Sequence, residues 1–312
     1  MEMRNNVMLC GKNWFGTGGP ASYFCEPVSE QDFAYALEYA DGRDLPVFVL
    51  GLGANILVSD DGFGGLVIRP QLKNISHKSC EDRVLVTADA GVTIQELINY
   101  CLDHRILGLE EFSGIPGTVG GSLFINIRYF SYALSDFVSS ARLIDRKTFE
   151  IITVDNKWLN FDYGTSRLQE AGHYVLGATF KLRQASEVET AYARGRSQEI
   201  IRHRMARYPY KSTCGCFFRN FYDNEVMLES NGKKMTYASY YFDKIGIKGS
   251  LQIGGAAVSY QHANMIVNKG SATSQDIIAV ARIMQEMVKD KFGIIPQPEC
   301  QLVGFKEYPL LK

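Results

Sequence analysis

An excess of charge of either sign is missing from this sequence: 33 lysines and arginines stand against 34 aspartates and glutamates, a formal net charge of −1. That balance argues against a nucleic-acid or polyanion surface as a main function. Also missing is any apolar run approaching the ~20 residues that a membrane helix needs. Met1 to Lys12 carries no apolar core behind a basic start. The expectation is a soluble, cytoplasmic protein that takes neither a membrane nor a nucleic acid as partner. The seven cysteines (Cys10, Cys25, Cys80, Cys101, Cys214, Cys216 and Cys300) form an odd set without a CxxC pair. This fits reduced thiols and speaks against a disulfide framework or a zinc site, so no metal is expected. Internal repeats and low-complexity tracts are absent too. At 312 residues the chain can bury a large core, and its size suggests two or three domains.

What is present alternates helix and strand signals. Ser29, with Asp32 three positions on, predicts a capped helix running to Ala40 and ended by Gly42. Leu45 to Leu50 reads as a short β-rich run, and strands at Asn55 to Val58 and Leu66 to Ile68 flank the turn Asp60-Asp61-Gly62. Arg83 to Val86 reads as a further strand, and Thr93 with Glu96 forms a capping box opening a helix over Ile94 to Asp103. Strand patterns recur at Ala141 to Asp145, Glu150 to Val154 and Tyr174 to Leu182, and an arginine-rich helix is expected over Ser197 to Met205. The last third holds a turn-rich stretch with Gly246, Gly249, Gly254 and Gly255. Beyond it Ser274 is expected to cap an amphipathic helix, in which Ile277, Ile278, Ala281, Met284, Met287 and Val288 recur at helical spacing until Gly293.

Two glycine-rich loops carry most of the chemical information: Leu50-Gly51-Leu52-Gly53-Ala54-Asn55 and Gly114-Ile115-Pro116-Gly117-Thr118-Val119-Gly120-Gly121-Ser122. A pyrophosphate needs several backbone N–H groups converging at close range, and glycine lets the chain turn sharply with no Cβ in the way. Either loop alone would read equally well as an ordinary tight turn. As a pair they predict a split cradle for a dinucleotide. Neither is the Gly-x-Gly-x-x-Gly that opens a long helix, with an acidic residue ~20 positions on, as a Rossmann site requires.

An ordered series of motifs then points to one family: Gly18-Gly19-Pro20-Ala21, the two glycine loops, Tyr163-Gly164-Thr165-Ser166, Gly215-Cys216-Phe217-Phe218-Arg219-Asn220, Ile253-Gly254-Gly255-Ala256, His262-Ala263-Asn264 and Pro298-Glu299. Over almost its whole length the sequence resembles the UDP-N-acetylenolpyruvoylglucosamine reductases, the MurB family of peptidoglycan synthesis, in the shorter of its two subtypes. The resemblance implies an α+β fold: a two-part FAD-binding domain of the vanillyl-alcohol-oxidase (PCMH) type over 1–74 and 75–200, and a C-terminal α+β substrate-binding domain over 201–312. It also implies a monomeric oxidoreductase of cell wall biogenesis, and through that of cell shape, cell cycle and cell division. NADPH would reduce the FAD, hydride would pass to C3 of the enolpyruvyl group of a nucleotide-sugar substrate, and C2 would be protonated to give UDP-N-acetylmuramate.

Carried over residue by residue, the resemblance assigns Gly51, Leu52, Gly53, Ala54, Asn55, Gly114, Ile115, Gly117, Thr118, Gly120, Gly121, Ser122 and Asn126 to FAD. Cys216 stands where the family usually has a proton-donating serine. A thiol, with a reference pKa of ~8.5, can donate a proton while staying largely protonated; the competing reading is a small packing residue between apolar neighbours. Glu299 matches the family's C-terminal glutamate, which polarises the substrate carboxylate and supports the intermediate formed once hydride arrives. Tyr163, Arg167, Arg219 and Asn220 are the expected substrate contacts. His262 is read as a structural residue at a turn. The basic segment Arg202-His203-Arg204-Met205-Ala206-Arg207, with Lys211, reads either as a phosphate contact or as a solvated helix face.

The main departure is Gly164, which occupies the slot of the family's carboxylate-pairing arginine. Losing such a charge typically costs about 100-fold or more in rate. Arg167, three residues on, is one substitute. Two more departures are Gly16, where an arginine is common, and Ile127-Arg128-Tyr129-Phe130, which replaces a small glycine-alanine stretch and brings a new charge beside the expected flavin. These departures keep two alternatives open, an FAD protein with a changed substrate or one without turnover.

Overall fold

Helix starts follow the local capping chemistry. The computed structural model describes residues 1–80, 83–170 and 172–312. The first long helix, Glu30–Asp41, is capped by Ser29, whose side chain accepts from the Asp32 N–H, and Gly42 closes it. The helix Ile94–Asp103 opens on the expected box, with Thr93 Oγ1 accepting from the Glu96 N–H and Glu96 accepting from the Thr93 N–H.

The chain divides into two units, one of Met1–Asn5, Tyr23–Leu52 and Gly65–Arg204, the other of Asn6–Ser22, Gly53–Gly64 and Met205–Lys312. In the first unit an antiparallel sheet runs in the spatial order Ile151–Asp155, Val138–Asp145, His173–Gln184, Arg83–Asp89 and Ile75–Cys80, and the short strand Ile106–Leu107 pairs with the far end of His173–Gln184. Alternate residues such as Val84, Val86 and Ala88 point inward and join Leu97, Ile98, Val119 and Leu123 in one apolar core. A second core forms where Val47, Phe48 and Val49 pair in parallel with Leu66, Val67 and Ile68, beneath Phe33, Ala36 and Leu37 of the first helix.

The second unit holds a three-stranded antiparallel sheet, Gln252–Ile253, Ala256–Val258 and Ile266–Asn268. It also holds a parallel pair in which Ile56–Val58 lies beside Gln301–Val303. The helices Ala238–Ile245 and Ser274–Phe292 bury Tyr241, Phe242, Ile277, Ile278, Ala281, Met284 and Val288 against Phe217 and Phe218.

Two expected helix boundaries move. The arginine-rich helix spans Glu187–Arg207 rather than Ser197 to Met205. In its first half the large apolar residues, Val188 and Tyr192, are exposed, and the small Thr190 and Ala193 are the ones buried, so no apolar stripe marked it. The last helix is capped by Thr273, which forms a capping box with Asp276, and not by Ser274. Ser274 is instead taken by a long-range partner: its Oγ accepts from the Asp60 N–H at 2.9 Å, and its own N–H donates to the Asp60 carboxylate at 2.8 Å.

Candidate active site

In the first unit, the second glycine loop is held by backbone bonds to the strand and helix preceding it. Val119 N–H donates to the Val92 carbonyl at 2.8 Å, Gly120 N–H to Ala90 at 3.0 Å, and Gly117 accepts from the Ile94 N–H at 3.0 Å. Gln95 Oε1 receives the Gly114 N–H, and Arg204 Nε donates to the Gly114 carbonyl at 3.2 Å. This gives one member of the basic helical segment a loop-bracing role. Thr118 Oγ1 accepts from the Gly121 N–H, capping the short helix Val119–Phe124.

The loop expected to oppose it comes within touching distance. A Cβ on Gly51 would stand 2.7 Å from Thr118 Oγ1, so glycine lets this backbone lie against the Thr118 side chain without displacing its hydroxyl. Gly51 and Thr118, both assigned to FAD from the sequence, are therefore neighbours. Ser122 is 1% exposed, and among the described residues its Oγ has no hydrogen-bond partner. A buried hydroxyl left this way costs about 1–3 kcal/mol, which is the mark expected of a group that meets a polar ligand. Asn126 is also buried; it donates to the Asp162 carbonyl at 3.1 Å and accepts from the Ser135 N–H at 3.0 Å, so here it is a brace for the loops.

Gly53, Ala54 and Asn55 fall in the second unit. There a Cβ on Gly53 would lie 2.7 Å from the Lys12 carbonyl oxygen, and the Gly53 carbonyl accepts from the Trp14 N–H. Asn55 reaches Glu299: its Nδ2 donates to the Glu299 carbonyl at 3.3 Å, and its own carbonyl accepts from the Gln301 N–H.

Cys216 lies on an extended segment threaded between two others. It pairs with Met265 on one side, and Phe218 pairs with Pro298 on the other. Phe217 N–H donates to the Asn264 carbonyl, and the Phe217 carbonyl accepts from the N–H groups of Glu299 and Cys300. Cys216 and Glu299 are thus on adjacent extended segments, although they lie 83 positions apart in sequence. Asn264, buried, fastens the arrangement by accepting from the Phe218 N–H at 3.1 Å and donating to the Phe218 carbonyl at 2.7 Å. The sequence reading missed this amide, though it stands in the His262-Ala263-Asn264 motif.

Burial raises the Glu299 carboxyl to about 7. The residue itself is nonetheless exposed to solvent, where water screens the charge and limits that rise. Nearby, burial drives the Cys214 thiol well above its usual value, with the Cys300 thiol hydrogen-bonded to it and the Glu299 charge adding to the effect. Neither thiol was singled out from the sequence.

Other expected contacts are occupied within their own units. Arg219 pairs bidentately with Glu225, at 2.7 and 2.6 Å, and lies over the Tyr222 ring. Asn220 Oδ1 accepts from the Ala238 N–H at the start of the helix Ala238–Ile245. Arg167 lies over the Trp158 ring, its Cζ 5.1 Å from the centroid. His262 Nδ1 accepts from the Asn264 N–H, and burial lowers the imidazole to about 4. Among the described residues no cluster suits a metal ion, and no helix is long and apolar enough to cross a membrane.

The comparisons match this architecture. A family profile for the FAD binding domain covers residues 21–155, and one for the C-terminal domain of UDP-N-acetylenolpyruvoylglucosamine reductase covers residues 207–303. A two-part domain for FAD joined to that C-terminal domain defines the class, a flavin-dependent oxidoreductase. Among curated relatives, the UDP-N-acetylenolpyruvoylglucosamine reductase of Protochlamydia amoebophila is 34% identical over 307 residues, covering 97% of this chain and 95% of that one. That of Clostridium tetani is 30% identical, covering 97% and 92%. The crystal structure of the Thermus caldophilus MurB superposes with a TM-score of 0.78 at 25% identity, over 97% of this chain and all of the other. The chain belongs to the UDP-N-acetylenolpyruvoylglucosamine reductase (MurB) family.

Proposed function

We propose that this protein is an NADPH-dependent flavoenzyme that reduces UDP-N-acetylglucosamine enolpyruvate to UDP-N-acetylmuramate in the cytoplasmic stage of peptidoglycan synthesis. The observation that carries the reading is the convergence of Asn55, Cys216 and Glu299 within one unit of a chain whose family membership holds over nearly its full length. Gly51, Thr118 and Ser122 are the residues that fit FAD, through the closeness of the Gly51 backbone to the Thr118 side chain and a buried Ser122 hydroxyl without a hydrogen-bond partner among the described residues. The bound FAD would take hydride from NADPH and supply it to C3 of the enolpyruvyl group.

The chain's own residues have the remaining work. Cys216, half-buried, presents a thiol that can give its proton to C2. The backbone around it is fixed on both sides by neighbouring segments, so the thiol is held rather than searching for its position. Glu299, its carboxyl raised to about 7, is partly protonated at neutral pH, and in that form it can donate a hydrogen bond to the substrate carboxylate as negative charge builds there.

The test is an anaerobic titration. Purified yellow protein should bleach with NADPH, regain its colour on addition of the enolpyruvyl nucleotide sugar, and yield UDP-N-acetylmuramate by mass spectrometry. Bleaching without recovery would rule out this substrate.

A further inference from the structure

One arginine of the first unit reaches across a whole strand. Arg142 stands opposite Gly177 in the sheet register, and Gly177 opposite Asp89, so the three form one row over the strands Val138–Asp145, His173–Gln184 and Arg83–Asp89. A side chain on the middle strand would separate the outer two. Here the middle residue is glycine, and Arg142 Nη2 passes 3.5 Å from where its Cβ would stand and donates to Asp89 Oδ1 at 2.9 Å. The Nε edge of the same guanidinium is ion-paired with the Glu30 carboxylate, in the first turn of the helix Glu30–Asp41. All three residues are half-buried.

The two acids belong to the segments that carry the two glycine loops. Asp89 is fastened to Asn74, its N–H donating to the Asn74 carbonyl and its Oδ2 accepting the Asn74 N–H, each at 3.0 Å. Just beyond it, the carbonyls of Ala90 and Val92 receive the Gly120 and Val119 N–H groups. On the other side, the helix bearing Glu30 packs Phe33, Ala36 and Leu37 over Leu66 and Ile68, whose strand pairs with Val47–Val49 immediately ahead of Leu50-Gly51. Ile144 and Leu176 of the sheet join the same apolar cluster. Apolar contact is non-directional and holds helix to sheet without fixing where one stands along the other. Two contacts from one planar guanidinium do fix it. The tolerance is small, because a Cβ on Gly51 would already stand 2.7 Å from Thr118 Oγ1.

We propose that Arg142 is a positioning residue for FAD: by joining Glu30 to Asp89 it sets the spacing between the Gly51 and Thr118 loops. This rests on FAD being the ligand of this domain and on no step of catalysis. Side chains lining a cradle of backbone can vary, whereas one that sets the distance between its halves cannot. If the competent spacing is populated only part of the time, the apparent affinity falls by that fraction.

The test titrates FAD into the full chain freed of flavin, by calorimetry in the cold, and records the melting temperature of each protein. Arg142→Met is expected to weaken FAD by about 10-fold, the worth of one charged hydrogen-bond partner. Glu30→Gln and Asp89→Asn each cut one arm and should weaken it by a smaller factor. Adding Glu30→Gln to Arg142→Met should change nothing further, since both break the same tie. Arg142→Lys, a point charge that meets one acid but not both, should recover part of the loss. Half-buried ion pairs add little to the stability of a fold, so the flavin-free proteins should melt close together. A melting temperature that falls while FAD affinity holds would make the row a structural brace and overturn the assignment. So would the absence of rescue by lysine, or losses that add in the double variant. Should Arg142→Met not fold, Glu30→Gln alone carries the test, and unchanged FAD affinity there overturns it. A wild-type chain that takes up no FAD would overturn the flavin reading as well; FAD held equally by wild type and Arg142→Met would overturn only the role of Arg142.

Discussion

The two units solve the problem of building a site in different ways. In the first, the glycine loop around Thr118 is shaped by main-chain bonds to Ala90, Val92 and Ile94 and by the close approach of Gly51. In the second, the placing of Cys216 and Glu299 on adjacent extended segments depends on three segments far apart in sequence, fastened by the side chain of Asn264. A cradle made of backbone tolerates changes in the side chains around it, which is where Gly164 and Arg128 depart from the family. The reacting pair of side chains proposed for the second unit has no such latitude.

The sharpest way to break this contrast is Cys216→Ala. It should abolish product formation by about 10²- to 10⁴-fold, the range for a general acid, while bleaching by NADPH in stopped flow stays intact. Equal loss of both steps would count against the proton-donating role proposed for Cys216.

Next in size is the pH response of Glu299. Its raised value means that the carboxyl is protonated below about 7 and loses the proton as pH rises through it. If the protonated form supports the reaction, kcat/KM falls on the alkaline side of 7. Glu299→Gln, permanently neutral, should lower the rate yet flatten that limb. A limb unchanged in Glu299→Gln would assign it to another group.

Gly51→Ala probes the backbone cradle. The added methyl would lie 2.7 Å from Thr118 Oγ1 and force that hydroxyl away from the Gly121 N–H it caps. Losing a cap costs about 1 kcal/mol, and the fraction of protein purified with FAD, read from its visible absorbance, should drop. The smallest effect is expected from Ser122→Ala. Removing an orphaned buried hydroxyl should leave the melting temperature of the apoprotein unchanged or slightly higher, while FAD affinity falls by the ~1 kcal/mol of one hydrogen bond. A lower apoprotein melting temperature would show that Ser122 serves the fold instead.

Legibility followed range. The Thr93–Glu96 box and the Ser29 cap were readable because both partners lie within one turn of chain. The cap at Thr273 was misplaced by one residue because Ser274, chemically as suitable, is claimed by Asp60 more than two hundred positions away. The start of the helix Glu187–Arg207 carried no periodic signal, since tertiary contacts rather than an amphipathic stripe stabilise it. The helix Ala238–Ile245 lay unnoticed in the turn-rich third, where its N-terminal N–H is met by Asn220 rather than by a neighbouring cap.

The ordered motifs, through the resemblance they carry, were enough to give the class of chain and to put forward Cys216, Glu299 and the two glycine loops as candidates, because those signals lie in residue type and short spacing. Only the folded chain decided that Arg128 stands near Tyr163, that Arg219 is spent on Glu225, and that Asn264 fixes the strand bearing the thiol. Side-chain partners far apart in sequence are chosen by packing, and no local pattern records that choice.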